Sequence, residues 1–86
     1  MKSDEIILYP LMGEKATMLR ERENVLTFIV VKQASKKEIK AAVEDLLSVS
    51  VKSVKVMHTT DGKKKAHVRL EDKHSAEEIA SQMGVI

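Results

Sequence analysis

The segment from Asn24 to Lys32 most constrains the fold, because as a β-strand it would be apolar on both faces. Two sets of apolar side chains alternate along it, Leu26, Phe28 and Val30 with Val25, Ile29 and Val31. A strand that is apolar on both faces is normally covered on both faces. The segment therefore predicts a sheet with helices packed above and below it.

Residues 51–70 predict a β-hairpin, because apolar and polar side chains alternate in two arms joined by Asp61-Gly62. A two-residue loop would mix the two kinds of side chain on each face. A three-residue loop, Thr60-Asp61-Gly62, keeps the faces separate and gives Gly62 the left-handed conformation that such loops need. We therefore expect the three-residue loop, which pairs Ala66 with Val56 and Val68 with Val54.

The second face of this hairpin is predicted to be basic. It would carry Lys55, Lys65, His67 and Arg69, with Lys63 and Lys64 near the tip. One interpretation is an ordinary solvated side of an antiparallel sheet. The other is a phosphate-binding surface, because these positive charges are not interleaved with acids and repel one another unless a polyanion neutralises them.

The clearest helix is predicted for residues 35–47. Ser35 and Glu38 form a capping-box pattern, and an apolar stripe follows at Ile39, Val43, Leu46 and Leu47. Its lysines lie at the N-terminal end, where the helix dipole disfavours positive charge by about 0.3–1 kcal/mol each. Exposed charges can accumulate there at little cost, but the alternative is an anion-binding patch continuous with the hairpin, formed by Lys36, Lys37 and Lys40.

The other elements are shorter. A strand is predicted for Glu5 to Tyr9, ended by Pro10. A helix is predicted from Gly13 to about Glu21, with Ala16 and Leu19 inward and the charged residues 20–23 solvated. A last helix is predicted from Ser75 to about Met83, capped by Ser75 and Glu78, with Ile79 and Met83 inward, and followed by Gly84 and an apolar tail, Val85-Ile86.

These elements predict one α+β domain over residues 1–86. Its order would be strand-helix-strand-helix-strand-strand-helix, with a four-stranded, mostly antiparallel sheet and helices on both faces.

Charge is distributed unevenly along the chain. Residues 35–70 hold nine basic and four acidic side chains, residues 71–86 hold one basic and four acidic, and residues 1–34 are balanced. This predicts a molecule with one basic side and one acidic or mixed side. There is no cysteine, no apolar run of about 20 residues, and no signal-peptide pattern, so a cytoplasmic location without membrane insertion is expected.

Several chemistries lack support in the sequence. His58, His67 and His74 are not at metal-ligand spacing, and the three scattered glycines form no phosphate loop. We therefore expect no enzyme, no cofactor, no metal and no small-molecule substrate. Any RNA binding would read backbone and shape with Lys and Arg, because Tyr9 and Phe28 are the only aromatic residues.

Four segments, in order, resemble the large-subunit ribosomal protein twenty-three family. They are PLMGEK at residues 10–15, ASKKEIKAAVE at 34–44, VKSVKV at 51–56 and KKAHVRL at 64–70. Gly13 departs from the family's usual Ser or Thr, and His67 from its usual aliphatic or aromatic residue. The short hairpin tip resembles archaeal members, which lack the long extension that bacterial members send into the exit tunnel.

The resemblance implies a non-catalytic component of the large ribosomal subunit that binds large-subunit rRNA beside the peptide exit tunnel. It also implies ribosomal protein twenty-nine as a neighbour, and docking of the signal recognition particle or other exit-site factors on a surface that includes Glu14. Lys15 of the first segment joins the expected rRNA-binding set, which then comprises Lys15, Lys36, Lys37, Lys40, Lys55, Lys63, Lys64, Lys65, His67 and Arg69.

Two other hypotheses come from the residues alone. The chain could be a small α/β adaptor or regulatory domain that binds a protein or metabolite, which would need an apolar patch or an open cleft without a basic surface. It could also be an acyl-phosphate hydrolase, but Asn24, the only asparagine, lacks the surrounding anion loop that such an enzyme needs.

Overall fold

The computed structural model describes residues 2–84. In chain order the elements are α1 (Ser3–Ile6), β1 (Ile7–Pro10), α2 (Glu14–Glu23), β2 (Val25–Val30), α3 (Lys36–Leu47), β3 (Val51–His58), β4 (Lys64–Leu70) and α4 (Ala76–Gln82). The four strands form one sheet in the order β1-β2-β4-β3, and all neighbours are antiparallel. The α+β class and the predicted order are confirmed, with one short helix added in front.

The two faces of the sheet are covered differently. Every residue of β2 is buried. On one face α3 and α4 form the core with the sheet, through residues such as Phe28, Val68 and Ile39. On the other face, α2 is the one helix of residues 2–84 that packs, with Lys15 and Ala16 beside Thr27 and His67. Helices on both faces are thus confirmed, but α2 leaves part of the second face open.

The hairpin has the predicted register. Val54 pairs with Val68 and Val56 with Ala66. The Thr59 N–H donates to the Lys63 carbonyl at 2.9 Å and closes the three-residue loop, in which Gly62 has φ +84°. The local separation of apolar and charged side chains was therefore sufficient to identify the loop.

The N-terminal prediction was partly wrong. Glu5 and Ile6 are helical, and the strand runs from Ile7 to Pro10. Ile6 is buried in the core, where α1 packs against α3, and this packing favours a helical turn over an extended chain. Pro10 does not stop the strand but pairs with Phe28, because β1 is an edge strand, where a missing N–H is tolerated.

The predicted α2 helix ends later than expected, at Glu23, and Arg20 is buried rather than solvated. Arg20 Nε donates to Glu77 Oε1 of α4 at 2.6 Å, so the two helices are joined by an ion pair. The sequence could not show this contact, because the acidic partner lies 57 residues further along the chain.

The capping box of α3 is confirmed, with Ser35 and Glu38 bonded in both directions. The inward residues differ from the prediction, because Ala42 is buried whereas Leu46 remains 46% exposed. Helical periodicity gives the direction of a side chain but not the presence of an element to cover it. The last helix is capped by Ser75 as predicted, and Val85-Ile86 lie outside the described residues.

Candidate nucleic-acid interface

The open face of the sheet carries a row of cationic side chains along β4. Lys65, His67 and Arg69 alternate there with the buried Ala66, Val68 and Leu70. Lys55 of β3 lies beside His67, and Met57 lies beside Lys65. Because the strands alternate faces, the same pattern that builds the core brings these charges together on the other side.

Helix α2 borders this open face and turns it into a groove. Lys15, Leu19 and Glu23 are spaced by one helical turn, so they share the side of α2 that faces β4. The resulting groove has a volume of about 440 Å³. We call it the basic groove. Its lining includes Lys15, Leu19, Lys55, Met57, His67 and Arg69.

His67 reports the electrostatics of the basic groove. Burial lowers the pKa of His67 below its ordinary value, and the positive charges of Lys65, Lys15 and Lys55 lower that pKa further. Glu23 acts in the opposite direction. The imidazole Nδ1 lies 3.1 Å from the hydroxyl of buried Thr27. The contact with Thr27 orients the ring, and the lowered pKa favours its neutral form.

Two of the lysines are available for an anion. Among residues 2–84, no carboxylate lies within ion-pair distance of Lys55 or Lys65. Arg69 differs, because its guanidinium donates to Glu23 Oε1 at 2.8 Å, and both side chains are about half exposed. A phosphate at Arg69 would have to compete with Glu23.

The lysines of the hairpin tip diverge from the groove. Lys63 Nζ lies 5.8 Å from the centre of the Tyr9 ring. The pKa of Lys63 is raised, first by the neighbouring Tyr9 and then by the charge of Asp61, whose carboxylate lies 3.8 Å from Lys63 Nζ. Lys64 Nζ donates to the carbonyls of Lys32, at 3.2 Å, and Ala34, and so joins the tip to the loop before α3.

Lys32 was missed by the sequence prediction. Its ammonium lies beside Gly62, so it adds a further charge at the hairpin tip. No local signal could have identified it, because Lys32 follows the central strand and reaches the tip only through the antiparallel pairing of β2 with β4.

The lysines of α3 are divided between the two faces. Lys36 borders the basic groove. Lys37 and Lys40 are exposed on α3, which covers the other face of the sheet. The structure thus brings together part of the predicted set, namely Lys15, Lys36, Lys55, Lys65, His67 and Arg69, and places Lys37, Lys40, Lys63 and Lys64 elsewhere. Glu14 is exposed at the first residue of α2.

Two further observations limit the chemistry of the described residues. Within residues 2–84, no group of three or more His, Asp or Glu side chains could hold a metal ion. No helix in that range has both the length and the apolar character required to cross a membrane.

The comparisons with known proteins identify the family. The model of the family described as Ribosomal protein L23 matches residues 5–78. The chain is also 39% identical, over 85 residues, to the large ribosomal subunit protein uL23 of Methanococcus aeolicus, and the match covers 99% of each chain. The chain belongs to the uL23 family. It is a structural, non-enzymatic protein of the large ribosomal subunit in the cytoplasm, and its relative is archaeal.

Membership in the uL23 family confirms the resemblance drawn from the four sequence segments. The matched range, residues 5–78, contains all of them and extends from the last turn of α1 into the first turn of α4. Every member of the basic groove lies inside it.

Proposed function

We propose that this protein binds large-subunit rRNA through the basic groove and the lysines that surround it. The observation that carries the proposal is the convergence of Lys15, Lys55, Lys65 and Arg69 around His67 on the open face of the sheet. An uncompensated set of positive charges favours a polyanion, and binding of RNA phosphates releases counterions. The cleft is basic, which is the opposite of what the adaptor hypothesis requires.

The family resemblance adds the place of binding. The rRNA would be the segment beside the peptide exit tunnel, with ribosomal protein twenty-nine as the neighbouring protein. Glu14, exposed on α2, would belong to a docking surface for the signal recognition particle or other exit-site factors. The short hairpin closed by Thr60-Asp61-Gly62 supports no role inside the tunnel.

The test is binding to an rRNA fragment from the tunnel-exit region at several salt concentrations. Changing Lys55 and Lys65 to Ala should weaken binding and flatten the salt dependence, by up to about 0.9 in log–log slope per lost phosphate contact. The matched control changes Lys2 and Lys73, which are exposed and lie outside the predicted patch, to Ala. Equal effects of the two double variants would contradict the proposal.

A third double variant tests whether RNA also contacts α3. Lys37 and Lys40 lie on α3, away from the basic groove, and their contact with RNA remains a prediction. If the variant with Ala at both positions has a flattened salt dependence of binding, RNA contacts α3 as well as the open face of the sheet. An unchanged slope would restrict the interface to the open face of the sheet. An unrelated RNA duplex in each series separates recognition of the fragment from general attraction of charge.

A further inference from the structure

The basic groove contains apolar surface that phosphate binding does not require. Leu19 and Met57 are partly buried along its walls, and buried Val25 lies at its base. Apolar surface that is grouped in a groove and rimmed by polar residues is a feature of binding sites. The lining combines such a surface with Lys15, Lys55 and Arg69, alongside the carboxylate of Glu23. The cations outnumber this carboxylate, as expected for a ligand that has both an apolar plane and negative charge.

The size of the groove limits what can enter. Its volume of about 440 Å³ lies within the range of about 300–1,000 Å³ that is typical of small-ligand sites. A base-paired duplex can lie across such a groove but cannot fill it, because its bases are stacked and paired. A nucleotide from a loop or bulge can fill it, because its base is free to leave the stack.

His67 supplies a polar contact suited to a base. Its Nδ1 is engaged with the Thr27 hydroxyl, and its Nε2 makes no hydrogen bond within residues 2–84, so that nitrogen is free to bind a ligand in the groove. A neutral imidazole also offers a flat surface for stacking. Lys55 lies opposite His67 on β3, and Arg69 lies two residues further along β4, so both are near the phosphates that would flank such a base.

We propose that the basic groove holds one unstacked nucleotide of the bound RNA. Its base would contact Met57, Leu19 and His67, and its flanking phosphates would bind Lys15, Lys55 and Arg69. This inference rests on the proposed function, because it specifies which part of the RNA enters the site.

The test follows the methionine methyl groups of the whole protein by NMR after ¹³C labelling. Three probes are added in turn: a tetranucleotide of adenosine, a strand of equal length and charge without bases, and inorganic polyphosphate. The ring current of a bound base should shift the Met57 methyl resonance with the first probe only. Met18, which is 41% exposed on α2 and does not line the groove, is the internal control and should not move.

Several outcomes would overturn the proposal. One is a Met57 resonance that moves equally with all three probes, since this would report charge alone. Another is a Met57 resonance that does not move, and a third is a larger movement at Met18. These readings use the native protein, so they do not depend on how any variant folds.

Matched variants provide a second measurement. Met57→Ala should weaken binding of the tetranucleotide about fivefold, because the base loses a packing partner, and should leave binding of polyphosphate unchanged. Met18→Ala should change neither. Weaker binding of the rRNA fragment after loss of Lys55 and Lys65, without any effect of Met57→Ala, would leave the proposed function intact and overturn the nucleotide site. Absence of RNA binding by the native protein would overturn both.

Discussion

At the scale of single residues, His67 shows how neighbours determine the state of a side chain. It lies on an exposed-face position of a strand, yet α2 and Thr27 enclose it, and three lysines surround it. Burial and these charges both favour the neutral ring. The pKa of His67 therefore depends on the charge in the basic groove, and the titration of its ring can be followed directly.

We expect an NMR titration to give a pKa for His67 below its ordinary 6.5, and Lys65→Gln to raise that pKa because a repelling charge is removed. The folded protein then binds this proton less tightly than the unfolded chain does. The resulting stabilisation is present above pH 6.5 and is lost as pH falls through the folded pKa. A pKa at or above 6.5, or a fall after Lys65→Gln, would contradict this account of the groove.

If the basic groove binds RNA as proposed, Glu23 should restrain that binding. It accepts a hydrogen bond from Arg69 at 2.8 Å and places a negative charge where phosphate would bind. Glu23→Gln should therefore strengthen binding of the rRNA fragment by about three- to tenfold at low salt. Glu5→Gln makes the same change of net charge on α1, on the other side of the sheet, and should have a much smaller effect. Equal gains in RNA affinity for the two variants would indicate that the change of net charge, and not the release of Arg69 from Glu23, strengthens binding.

At the scale of elements, the hairpin of β3 and β4 depends on the conformation of one loop residue. Gly62 has φ +84°, and a Cβ there would meet only the Lys32 ammonium, at 3.8 Å. The cost of Gly62→Ala is thus conformational rather than steric, and we expect about 1–2 kcal/mol less free energy of unfolding in urea. Thr60→Ala, in the same loop, should cost much less. If Thr60→Ala lowered the free energy of unfolding as much as Gly62→Ala, the effect would come from the loop in general and not from the conformation of Gly62.

At the scale of the whole molecule, Asn24 joins three parts of the chain. It ends α2 in the left-handed conformation, with φ +60°, directly before β2. Its side chain donates to the His74 carbonyl at 2.9 Å and accepts from the Ala76 N–H at 2.7 Å. Together with the pair of Arg20 and Glu77, this residue attaches α4 to the rest of the fold.

Replacing Asn24 separates its two roles. Asn24→Ala should lower the free energy of unfolding by about 2–3 kcal/mol, because two partly buried hydrogen bonds are lost and a left-handed conformation is imposed on Ala. Asn24→Gly loses the hydrogen bonds but keeps the backbone, and should cost about 1 kcal/mol less than Asn24→Ala. Denaturant unfolding of the three proteins measures both differences. Stability unchanged in both variants would show that α4 is held by packing alone.

The fold was largely predictable because its main signals are local. The alternation in β2, the separated faces of the hairpin, and the Ser35–Glu38 capping box each depend on neighbouring residues. The candidate site was predictable in composition only. The positions of Lys65 and Arg69 follow from strand alternation. The position of α2 beside them converts the open face into a groove, and it depends on packing between distant segments.

The sequence alone therefore determined the α+β class, the hairpin register and the sign of charge on its outer face. These properties follow from the period of two along a strand and from short-range hydrogen bonding. Only the tertiary structure decided that Arg20 is buried, that Leu46 remains exposed, and that Lys64 is bonded to backbone carbonyls instead of lining the groove. The reason is physical: burial and charge pairing depend on which remote element covers a residue, and local periodicity carries no information about that partner.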